Sequence, residues 1–133
     1  MSMAHQVAQY LQAQGLGTLG EDFFVGFQPD TPNDCVTFYD EAAPIYDPSH
    51  GLAVDQFGVQ VLVRNESYFL ANDLTMEIHS HLVAFGDDKF VSDGPEIWVV
   101  MLQTNPGSIG KDNQGRNEWS AHYLVRAESL GDI

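Results

Sequence analysis

The alternation of apolar and polar positions is clearest between Phe57 and Gly86, FGVQVLVRNESYFLANDLTMEIHSHLVAFG. Phe57, Val59, Val61 and Val63 fall on one face and Gln60, Leu62 and Arg64 on the other, the period of a strand. After Asn65-Glu66-Ser67 the period changes. Tyr68, Ala71, Leu74, Thr75, Ile78, Leu82 and Phe85 recur every three or four residues and predict a helix with one buried stripe. Asn65 or Ser67 caps its first N–H groups, Glu66 suits the positive end of its dipole, and Gly86 stands where a left-handed residue ends helices. The opposite face of this helix, with Asp73, Met76, Glu77 and Ser80, is left for a neighbour or solvent.

A first helix is predicted over residues 2–14, capped by Ser2, with Ala4, Val7, Ala8 and Leu11 on one face and Gly15 as its stop. Phe23, Val25 and Phe27 alternate as a strand, Pro29 to Asp34 is a dense turn cluster, and Cys35 to Asp40 returns as a second strand. Residues 23–40 therefore read as a hairpin. Residues 41–56 carry two prolines and a glycine without any period and read as a long connection. Lys89 to Ser92 reads as a short strand, Asp93-Gly94-Pro95 as a turn, and Glu96 to Thr104 as the most apolar strand. Residues 105–116 form a polar, glycine-rich loop. Asn117 to Arg126 closes the sheet with Trp119, Ala121, Tyr123 and Val125 on one face, and residues 127–133 trail off.

Strands in runs, rather than alternating with helices, predict one α+β domain over residues 1–133: a mostly antiparallel sheet with two helices on one face. Those helices leave the second face open. Ile97, Val99 and Met101 oppose Trp98, Val100 and Leu102, so the strongest strand is apolar on both sides. The second face is closed either by the 41–56 connection or by another subunit.

Charge changes the picture next. Nineteen acids against five bases leave −14, and residues 1–63 hold eight acids and no Lys or Arg. Affinity for nucleic acid comes largely from cations that displace condensed counterions, so a sequence-specific DNA or RNA binder is not expected. A surface that lies near DNA without gripping it is compatible. The single cysteine, Cys35, leaves no internal disulfide framework and reads as a small core residue in a reducing compartment. The N-terminus lacks the basic and apolar regions of a signal peptide, and no apolar run is long enough to span a membrane.

Candidate chemistry yields little. Gly15-Leu-Gly17-Thr-Leu-Gly20 is a literal G-x-G-x-x-G, but it follows a helix and leads into a strand, the reverse of a dinucleotide site. His79 and His81 sit two apart on a helix and point nearly opposite ways, so they do not share one ion. His5, His50 and His122 are scattered, and the acidic pairs Glu21-Asp22 and Asp87-Asp88 sit in turns. No catalytic residue, cofactor or metal is expected, and the chain does not read as an enzyme. The 105–116 loop, with Lys111, Asp112 and Arg116, is long enough to be a partner contact.

Three stretches together carry a resemblance. GLGTLGEDFFVGFQPDTPND, QVLVRNESYFLANDLTMEIHSHL and NPGSIGKDNQGRNEWSAHYLV, in that order between Leu11 and Val125, resemble a family of small phage proteins labelled minor capsid proteins, itself similar to the tail terminator proteins of long-tailed phages. The resemblance implies an α+β subunit of a homohexameric ring that caps the tail tube, stops its growth and meets the head connector. The implied partners are the tail tube protein and the head-connector or neck proteins, with DNA passing through an acidic lumen without specific binding and no membrane involved. The implied place is the tail–neck junction of the virion, with assembly in the host cytoplasm. The label also suits a head-completion or neck protein, and composition alone leaves open a small acidic ligand-binding α+β domain. Expected contacts with subunits or partners are Arg64, Asp73, Glu77, Lys111, Asp112 and Arg116. Expected lumen acids are Asp30, Asp34, Asp40 and Glu41. On this reading Arg64→Glu spares the monomer and weakens assembly.

Overall fold

Two serines open the two helices. In the computed structural model, which describes residues 2–44 and 54–128, the Ser2 hydroxyl accepts from the His5 N–H at the start of α1 (Met3–Ala13). The Ser67 hydroxyl accepts from the Leu70 N–H at the start of α2 (Tyr68–Val83). Each pairs a donor that the first helical turn leaves unsatisfied. Asn65 accepts from the Ser67 N–H at 2.9 Å instead of capping the helix. α1 stops where Gly15 takes φ +84°. α2 ends sooner than expected, and the positive φ beyond it belongs to Asp87, not Gly86. Gly86 is small for another reason: a Cβ there would stand 2.9 Å from the Trp98 carbonyl oxygen.

The sheet comprises β1 (Phe23–Val25), β2 (Cys35–Glu41), β3 (Val54–Asn65), β4 (Ile97–Lys111) and β5 (Asn117–Glu128), in the order β1-β2-β3-β5-β4. β2–β3, β3–β5 and β5–β4 are antiparallel. β1 runs parallel to β2, with Phe23 beside Val36 and Val25 beside Phe38. Residues 23–40 are therefore not a hairpin: the chain leaves β1, crosses over as residues 26–34, and re-enters the sheet in the same direction. Phe27, expected in the strand, lies in this crossover and is exposed.

Register builds the core. Val36, Val63 and Trp119 make one row across β2, β3 and β5, and Phe38, Val61 and Ala121 make the next. α1 lies over β1, β2 and β3, and α2 over β3, β5 and β4. Met3, Val7 and Leu11 from α1 and Ala71, Ile78 and Leu82 from α2 share one apolar cluster with those rows. Truncating any large member to Ala costs about 2–5 kcal/mol. Tyr68 departs from its expected place in the buried stripe: it rests edge-on against Trp119 and stays half exposed.

β4 runs well past Thr104, so the expected 105–116 loop is strand to Lys111 and a tight turn over 112–116. Pro106, Gly107 and Gly110 are tolerated because β4 is an edge strand, paired only with β5, and its ladder is interrupted near all three. A further irregularity between Ile97 and Val99 turns both Ile97 and Val100 into the core and leaves Trp98 and Val99 partly exposed. Residues 89–92 are not a strand. They hold Phe90 in the core against Tyr10 and Phe85, and an isolated bridge joins Asp88 to Ile97. β3 begins at Val54 and β5 reaches Glu128, so the ends of the 41–56 and 127–133 segments are strand. Residues 45–53, with His50, and 129–133 lie outside the described residues.

Candidate assembly surface

Where β2 begins and β3 and β4 end, two arginines fasten the 26–34 crossover. Arg64, at the end of β3, is 2% exposed. Its Nε donates to the Asn33 carbonyl at 3.0 Å, and its Nη2 to the carbonyls of Pro29 and Pro32 at 2.7 Å each. Arg116, buried beside it, donates from Nη1 to the Asp30 carbonyl at 2.6 Å and from Nε to Asp112 Oδ2 at 2.8 Å. Gln28 adds a bond to Glu118 on β5. Arg64 and Glu118 pair in register on the face away from the helices, so the crossover closes that end of the second face. Neither alternative foreseen for that face includes this segment.

Asp112 organises the turn between β4 and β5. Its Oδ1 accepts from the N–H groups of Gln114 and Arg116, both at 2.9 Å, an Asx turn. Desolvation works to raise the Asp112 carboxyl, but the bonds from Arg116 and Gln114 outweigh it and hold the carboxyl below the usual range.

Further along the same face a polar row crosses three strands. Gln60 donates to Ser120 Oγ at 3.1 Å, Ser120 Oγ and His122 Nε2 are 3.4 Å apart, and His122 Nδ1 meets Glu41 Oε1 at 2.8 Å. The residue types are those of a nucleophilic triad, but the Ser–His separation exceeds the reach of about 2.6–3.2 Å that proton transfer needs. Ser120 is also buried in mid-sheet. The row is a cross-strand tie, bordering a hollow of ≈ 230 Å³ beside the irregular half of β4.

The residues expected to meet partners thus separate. Arg64 and Arg116 are buried among this chain's own acceptors, and Asp112 is held in its turn. Lys111, Asp73 and Glu77 are exposed. The four expected lumen acids do not form one patch. Asp30 and Asp34 are exposed at the start of β2 and bond Gln114 and the Glu66 N–H respectively. Asp40 and Glu41 stand at its other end on opposite faces: Asp40 accepts from Ser2 and the Ala4 N–H at the start of α1, and Glu41 faces His122.

His79 bonds the Tyr123 hydroxyl at 2.8 Å, whereas His81 stands edge-on to Tyr10, so the two histidines serve separate contacts. Gly15 and Gly20 take positive φ and Gly17 lies against the Phe23 ring, which accounts for the glycine motif locally. Sequence reasoning placed Met76 on the outer face of α2 but missed that Phe69 and Val83 fall in line with it; Phe69, Met76 and Val83 are 74%, 44% and 44% exposed. Their seven-residue spacing was the available signal.

Comparison with known proteins agrees with this architecture. One chain of the solved structure titled virion of native gene transfer agent (GTA) particle shares the fold at a TM-score of 0.61 and 16% identity, over 95% of this chain and 96% of that one. No curated protein sequence matches. The family described as bacteriophage tail terminator protein matches residues 10–129, which include the crossover, both arginines and the whole sheet. The chain belongs to the bacteriophage tail terminator protein family.

Proposed function

We propose that the chain forms a six-fold ring at the end of the tail tube, where it terminates polymerisation and offers the surface that joins the head connector. The observation that carries this reading is the family match over residues 10–129, which makes the chain a structural tail protein. Two features support the finer claim. The sheet ends in two unlike edge strands, the three-residue β1, which residues 18–20 already meet at Phe23, and the long β4. Among the described residues β4 is met on its outer side only at Ile97, by Asp88, so the rest of it is left for a neighbouring copy in a head-to-tail ring. The charge of −14 suits a lumen through which DNA slides, since a basic lining would hold the phosphates. Asp30, Asp34 and Asp40 are the exposed candidate acids offered to such a lumen, Lys111 is the exposed charge offered to a neighbouring copy, and Asp73 and Glu77 are those offered to another protein of the assembly.

Native mass spectrometry of the purified chain, alone and with tail tubes, tests the ring, and electron microscopy of particles made without it tests its place. A hexamer, and tails of uncontrolled length in its absence, are expected. A strict monomer that ignores tubes, or leaking heads beside tails of normal length, would overturn the reading.

A further inference from the structure

We infer that the outer face of α2 docks a basic amphipathic segment of another protein of the particle. The inference rests on the reading above only in taking that partner from the same assembly. Ala71, Thr75, Ile78 and Leu82 bury one side of α2. On the other side Phe69, Met76 and Val83 recur at intervals of seven, with Leu70 beside the first. A seven-residue repeat drifts by only about 20° per heptad on a straight helix. The three residues therefore form one line about 21 Å long, at 1.5 Å rise per residue. A helix on the surface of a domain ordinarily carries a polar stripe there. Here the outer stripe is a second apolar seam, and the described residues leave it uncovered.

Charge decides what covers it. Asp73 and Glu77 lie along the seam, and neither forms an ion pair among the described residues. Of the five bases, Arg64 and Arg116 are buried and Arg126 bonds Gln56, which leaves Lys89 and Lys111 as the exposed lysines. A second copy would bring nineteen acids and little to neutralise them. A segment with apolar residues every three or four positions, flanked by Lys or Arg, meets both the seam and its carboxylates.

The test uses the full chain and a labelled synthetic helix of about three heptads, with Leu at the seam and Lys at its flanks. A Glu-flanked version is the control, and anisotropy reports binding. The Lys-flanked helix should bind and the Glu-flanked one should not. Asp73→Lys with Glu77→Lys should weaken binding by about tenfold or more, and Met76→Ser should weaken it too. Asp55→Lys with Asp93→Lys, the same charge change off this face, should leave binding intact. Absence of binding, or equal weakening by both double changes, overturns the inference. So does a change in native mass caused by the Asp73/Glu77 pair, which would make α2 a contact between copies. A wild-type chain that binds the helix yet forms no ring would sink the ring reading alone.

Discussion

Arg64 shows how far the role of a single side chain depends on residues distant in sequence. In the sequence it ends an apolar run beside a turn, which reads as a surface cation free to meet a neighbour. In the fold it holds carbonyls of Pro29, Pro32 and Asn33, more than 30 residues upstream. That crossover leaves no local trace at residue 64, so the role was not legible there. Glu at this position would bury an unpaired carboxylate against carbonyl oxygens, at a cost of several kcal/mol. Arg64→Glu should therefore fail to fold rather than yield a sound monomer with weak assembly. Arg64→Ala should lower stability by about 3 kcal/mol or more, read from the urea midpoint; a midpoint equal to wild type would refute the fastening role. Cys35 was legible, because a small apolar residue in an alternating strand has few other places to go. Its thiol is pushed up by burial, against the pull of Arg64 and Arg116.

Elements were legible in proportion to how local their causes are. Both helices follow from a 3.6-residue period and a serine cap, and Ser67→Ala should cost about 1 kcal/mol in thermal or urea unfolding. An unchanged transition would mean that the Leu70 N–H finds another acceptor. The direction of β1 was not legible. Pro29-Asp30-Thr31-Pro32-Asn33-Asp34 announces that the chain turns, but whether it returns antiparallel or crosses over is fixed by the arginines that receive it. The length of β4 was hidden for the opposite reason. Its proline and glycines argue for a loop, and only its place at the edge, with an interrupted ladder, lets them stand in a strand. Of the candidate site, the polar outer residues of α2 were legible from periodicity, while the knot joining residues 28–33 to 64, 112 and 116 was not.

For the whole molecule, pH acts from both ends. Tyr123, fully buried against His79, has its hydroxyl pushed well above the usual tyrosine value by burial, and Tyr10 and Tyr39 are pushed up by burial as well. Because the unfolded chain ionises first, stability is full below about pH 10 and falls as pH rises beyond it. Asp112 acts at the other end: its carboxyl is held low, so its contribution is present above about pH 4 and is lost as pH falls through the lower folded value. Urea midpoints across the pH range should show both limbs, and Tyr123→Phe should flatten the alkaline one while losing about 1 kcal/mol at neutrality with the His79 bond. An alkaline limb unchanged in that variant would assign it to other groups. The strand order carries a consequence for synthesis. β5 lies between β3 and β4, yet it is the last of the five to leave the ribosome. Until it emerges β4 has no strand beside it, Arg116 has only just appeared, and the crossover is fastened by Arg64 alone. The sheet therefore closes only once β5 has emerged, after every other strand is already made.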